Sequence, residues 1–160
     1  MKKTFRKYML PVLMMVLCLV MLLAAIPANA TESWSQKWVR FSVTAGETLA
    51  LGDIVCIKAS DGYAYEADAN DADLRPAVGI IGKGGASGSA VEIVVIGVLK
   101  GQTAASPGAR IYLSETAGEV TTTAPTNSQV VGWVMGAAGA ASSTDYFFFV
   151  RPDSSAGAAY

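Results

Sequence analysis

The 160-residue chain contains no histidine. This removes Ser-His-Asp and Cys-His nucleophile arrangements, H-E-x-x-H zinc sites and imidazole acid/base chemistry together. Only two cysteines are present, and Cys18 lies in an apolar N-terminal run. Beyond that run the chain holds the single thiol of Cys56 and no intrachain disulfide. A phosphate loop is also missing. Gly82-Lys83-Gly84-Gly85-Ala86-Ser87-Gly88 lacks the G-x-x-x-x-G-K-[ST] spacing and leads into a strand, so it reads as a flexible turn. Asp68, Asn70, Asp71 and Asp73 concentrate oxygen atoms without the glycine and terminal glutamate of a calcium loop, and they read as a solvated acidic loop. No pair among the thirteen acids is singled out for glycoside hydrolysis. The expectation is a protein with no catalytic residue, no cofactor and no metal site.

What is present begins with a leader. Lys2, Lys3, Arg6 and Lys7 form a basic start, Met9 to Ile26 is apolar, and Pro27 precedes Ala28-Asn29-Ala30, an A-x-A cleavage site. Residues 1–30 therefore read as a secretory signal peptide cut after Ala30, and the product is expected outside the cell or on its surface. The remaining 130 residues suffice for one domain with a modest core. With eight basic against thirteen acidic residues they carry a charge of −5, which disfavours nucleic acid and anionic membrane as partners.

Glycines organise that domain. Gly46, Gly52, Gly62 and Gly79 find counterparts in Gly101, Gly108, Gly118 and Gly132, an offset of about 56 residues. Each unit reads as a turn, a strand, a glycine-closed hairpin and further strands. About eight strands in two pseudo-repeats predict an all-β fold, a compact barrel or sandwich. Gly52, Asp53, Gly62, Gly108 and Gly118 mark its turns. The alternation places Val55, Ile57, Ile111 and Leu113 on the core face, with Ile54, Cys56, Lys58, Arg110 and Tyr112 outward. Residues 42–152 form the duplicated β domain, 31–41 an aromatic arm or short helix outside the repeat, and 153–160 a flexible tail.

Two features point to assembly. Val91 to Val98 and Tyr146 to Val150 are apolar at successive positions, so both faces need cover, and Phe147, Phe148 and Phe149 are candidates to meet another subunit. Trp34 and Trp38 of the arm dock on a neighbour or plug the end of their own barrel. Cys56 and Tyr112, on the outward face, join these as interface candidates, with an intersubunit bond through Cys56 among the possibilities.

The order VTAGETLALGDIVCI, DGYAYEADAND, RPAVGIIG, SAVEIVVIGVLKG, PGARIYLSETAGEVTTTAP, VVGWVMG resembles the small capsid decoration, cement and head-fibre proteins of tailed phages over residues 42 to 151. The resemblance implies a compact β domain, commonly trimeric, that reinforces or decorates a protein lattice without catalysis. Gly52, Asp53, Val55, Gly108, Tyr112, Leu113 and Gly118 are the matching positions and look structural. The leader departs from that family, whose members assemble in the cytoplasm. Together these readings give a cell-surface or extracellular assembly protein whose partners are identical subunits, in a trimer or polymer, or a protein lattice. The alternatives are a secreted glycan-binding module using Trp34, Trp38, Tyr63, Tyr65 and Trp133 as stacking platforms, and an accessory factor of a pilus-like system.

Overall fold

The computed structural model describes residues 32–137 and 139–151, so the expected leader and tail lie outside the described residues. The described chain is all-β: β1 (Ser33–Thr44), β2 (Ile54–Ile57), β3 (Ala64–Glu66), β4 (Gly79–Lys83), β5 (Ala90–Lys100), β6 (Arg110–Leu113), β7 (Val120–Thr121), β8 (Val130–Met135) and β9 (Asp145–Phe149). A single 3₁₀ turn, Ala72–Leu74, interrupts them. The strands form one curled antiparallel sheet in the order β3-β2-β4-β5-β9-β8-β6-β7, with β1 added to β5.

β5, with six β-branched residues in AVEIVVIGVLK, is the axis of this arrangement. It pairs with β1 from Ala90 to Lys100, with β4 over Glu92–Val94 and with β9 over Ile96–Leu99. A strand has two edges and β1 takes one throughout, so β4 and β9 divide the other, and the sheet parts near Val95. Val95 is also skipped in the pairing with β1, where Val39 meets Ile96 and Arg40 meets Val94. An extra residue reverses the alternation of side chains. Ile93 and Leu99, an even number of residues apart, accordingly pack in different cores.

The larger core joins Ile54, Cys56 and Ile80 of the first half-sheet to Ile111, Leu113, Val134, Tyr146 and Phe148 of the second. The smaller one gathers Ala45, Leu49, Val55, Ala64, Ile81, Val91 and Ile93. This corrects the face expected for Ile54 and Cys56. The segment after β1 crosses the other face of β2, with Ala45 bridging to Ala64 and Leu49 to Gly85, and both faces of the strand are buried. Ile54, Val55 and Cys56 are each at most 1% exposed. The expected outward position of Cys56, with a bond to another subunit, is therefore overturned. Burial pushes its thiol up to about 11. The expected result with a thiol reagent is no modification of the native protein and full modification after unfolding; rapid labelling of folded chain would contradict the buried placement.

The arm expected at 31–41 is likewise not a helix or a free extension, because β1 runs through it. Its one-sided attachment is fastened by Glu92, which accepts from Lys37 Nζ at 2.6 Å and Arg40 Nη1 at 2.8 Å. Such partly exposed pairs contribute well under about 1 kcal/mol each, so they fix register more than they supply stability. Gly97 permits the close approach of β1: a Cβ there would lie 2.6 Å from both the Gln36 carbonyl oxygen and the Trp34 ring. Gln129, the one polar side chain buried among the described residues, bonds the Ala77 backbone in both directions and donates to the Arg151 carbonyl at 3.0 Å.

The halves carry matched bonds. Gly52 N donates to Ile81 O at 3.0 Å as Gly108 N does to Val134 O at 2.8 Å. Ile81 N returns to Asp53 O as Val134 N does to Ala109 O, both within 2.9 Å. Val55 faces Gly79 as Ile111 faces Gly132. Gly52, Gly62, Gly108 and Gly118 all take positive φ, a conformation glycine adopts without steric cost.

Candidate functional site

A strand sends successive side chains to opposite faces. On β9 this divides the three phenylalanines: Tyr146 and Phe148 point into the larger core, while Phe147 is half-buried and Phe149 is 38% exposed. β1 divides the two tryptophans differently. Trp34 turns inward, its ring 6.4 Å from Phe148 and its Nε1 donating to the Ile81 carbonyl at 3.2 Å. Trp38 lies where the register with β5 shifts, Lys37 pairing with Gly97 and Val39 with Ile96, so it has no partner on β5. A bulged residue is re-aimed relative to its neighbours, and Trp38 is 56% exposed.

Trp38, Phe147 and Trp133 form one external aromatic face. The Trp38 ring meets Phe147 edge-on at 6.1 Å, and Trp133 stacks on the other side of Phe147 at 6.3 Å and 21°. Backbone pairing explains the placement, since Trp133 is directly opposite Phe147 and Phe147 opposite Val98. The next line continues the apolar surface, Phe149 facing Ile96 and Ile96 facing Val39. Met135 follows Trp133 on the same side of β8 and is 45% exposed. Exposed Arg110, opposite Trp133, borders the face with a positive charge. A contiguous apolar surface of this kind is costly in water, and surfaces of this character are common at interaction sites.

Trp38, Phe147 and Phe149 of the sequence-derived candidates are thus brought together. Trp34 and Phe148 belong to the interior with Cys56. Tyr112 is half-buried, pairs with Thr121 and Val130, and makes no ring contact with the face among the described residues. Trp133, a candidate from sequence only as a sugar platform, flanks Phe147 in the face; the signal for it is its place in the apolar strand VVGWVM, but its partner on β9 is not legible from sequence. The acidic loop builds its own turn, with Asp68 accepting from Asn70 N at 2.7 Å and Asp71 from Asp73 N at 2.8 Å. Among the described residues, no group of three or more acidic or cysteine side chains could hold a metal, and no helix is long and apolar enough to cross a membrane.

A sequence model of phage cement proteins matches residues 34–151, from Trp34 of β1 to the residue after Val150. The chain belongs to the phage cement protein family. The match takes in β1 and every later strand, so the tryptophan-bearing segment is part of the cement domain itself and not an appendage to it. Comparison with curated proteins and with solved structures found no match.

Proposed function

We propose that this cement-family protein is an exported, non-catalytic structural protein that binds a repeating protein assembly through the face built by Trp38, Phe147, Trp133 and Phe149. The observation that carries the reading is the exposed, mutually packed aromatic surface on β1, β8 and β9. Burying it against a neighbour contributes roughly 25 cal/mol per Å² of apolar area. Aromatic anchors at the centre of a contact commonly dominate its energy. Family membership supports a lattice as the partner, with identical subunits or a distinct lattice protein on the other side.

The geometry disfavours the glycan reading. Trp38 meets Phe147 at 62°, so the near-parallel pair of Phe147 and Trp133, at 21°, does not continue across Trp38 as the extended flat platform on which a sugar chain stacks. The matched hydrogen bonds of the two halves support descent of the domain from one duplicated β unit. Export rests on the leader, and a lattice outside the cell or on its surface follows from it. Amino-terminal sequencing of the protein from fractionated producing cells is expected to find it outside the cytoplasm and beginning at Thr31. Protein retained in the cytoplasm with Met1 intact would overturn export while leaving the docking face in place.

A further inference from the structure

The turn at Gly52 borders a cavity of about 330 Å³ lined in part by Glu32, Asp53, Gln102, Glu119 and Tyr146. Carboxylates reach this region from several segments. Glu32 precedes β1 and accepts from Gln102 Nε2 at 2.9 Å, with its other oxygen against Gly52. Asp53 accepts from Ala50 N at 2.6 Å, and Glu47 accepts from Glu66 N at 2.6 Å. Glu66 in turn lies over Gly118 of the β6–β7 turn, next to Glu119. That turn is where the two half-sheets are bonded together, Gly118 O accepting from Ile54 N at 3.0 Å and Gly118 N donating to Ala67 O at 3.1 Å.

The cations nearby are engaged elsewhere. Lys37 and Arg40 pair with Glu92, Lys100 with Asp145, and Lys58 sits 5.0 Å from the Tyr65 ring, whose hydroxyl donates to Asp61. Tyr146 is occupied by donation to the Thr103 carbonyl. The second half shows that the turn needs no acid. Ala109 N donates to Ser106 O as Asp53 N does to Ala50 O. At the same offset, Glu47, Asp53 and Glu66 are matched by Thr103, Ala109 and Thr122. The backbone of the turn thus does not require these acids, and they crowd a junction that joins the halves alongside the β5–β9 pairing and the Gln129 bonds to Ala77.

We propose that this junction is a pH-responsive joint, in which Glu32, Asp53 and Glu66, with Glu47 and Glu119 beside them, repel one another when ionised and close the seam when they take up protons. Burial raises the pKa of all three. The Asp53 charge adds to the effect at Glu32 and Glu66, and the Glu47 charge adds to it at Asp53. A carboxyl group that holds its proton more tightly folded than unfolded gives stability that is full below the ordinary carboxylate range. That stability is lost as pH rises through the raised values. Glu92 works in the opposite sense: the Lys37 hydrogen bond, and the charges of Lys37 and Arg40, hold it below its ordinary range, so its contribution is lost only as pH falls. Because Glu32 leads directly into β1, the joint sets how firmly the strand that carries Trp38 is held at its start.

The test is thermal unfolding of the purified protein and of the variant E47T/D53A/E66T, whose replacements are the residues of the matching turn. At about pH 8 the variant is expected to melt higher than the wild type by ~5 °C, and at about pH 4.5 the difference is expected to shrink to a small fraction of that. The same difference at both pH values overturns the joint. Should the triple variant not fold, Glu66→Gln and an NMR titration of the wild-type side-chain carboxyls decide it. Ordinary titration of Glu32, Asp53 and Glu66 overturns the joint, and late titration of the three, with a pH-dependent gain in Glu66→Gln, supports it.

Discussion

Replacing Phe148 with alanine is expected to destabilise the domain by about 3–5 kcal/mol, enough to unfold a large share of a protein of ordinary stability. Phe148 is fully buried, touches the rings of Trp34 and Tyr146, and sits opposite Gly97 and Gly132, where no side chain moves in to refill the space. A Cβ at Gly132 would itself meet the Phe147 backbone. Phe149→Ala, one residue along the same strand and 38% exposed, is expected to cost less than about 1 kcal/mol. Urea unfolding of the two variants checks the contrast. Equal destabilisation would mean that β9 is not seated with Phe148 inward.

The second large effect is on association. Trp38→Ser combined with Trp133→Ser removes both rings that flank Phe147 and leaves the interior untouched. Unfolding free energy is expected to stay within about 1 kcal/mol of wild type. Affinity for the neighbouring subunit is expected to fall by roughly 30-fold or more, the effect of losing one aromatic anchor at the centre of a contact. Light scattering across a concentration series reads this for self-assembly, and co-sedimentation with the purified lattice reads it for a different partner. Unchanged affinity with unchanged stability would move the contact to another surface.

Much of the fold was legible because its signals are local. Positive-φ glycines at Gly52, Gly62, Gly108 and Gly118 and the apolar strands between them follow from backbone sterics and period-two alternation. Alternation within β2 places Val55 inward and Cys56 outward, but it cannot reveal that the segment around Ala45 and Leu49 covers Val55 while Cys56 faces the larger core shared with the second half. The same limit governed the tryptophans. Trp34 and Trp38 share a parity, and only the shifts in register along β1 send one inward and the other out. Among Phe147, Phe148 and Phe149 alternation divides the set but does not say which member is inside. Trp133 joins the face through its cross-strand partner, a contact between segments that sequence leaves unpaired.

Site-specific photocrosslinking in producing cells tests the central claim most directly. A photoreactive residue is placed at Trp133, in the face, and in a control at Tyr63, exposed near the Gly62 turn and absent from the ring contacts of the face. A protein adduct at position 133, of either a second copy or a single lattice protein, with none at position 63, is the predicted result. Equal adducts at both positions, or none at 133 in protein shown to be folded, would contradict the assignment of this face to assembly.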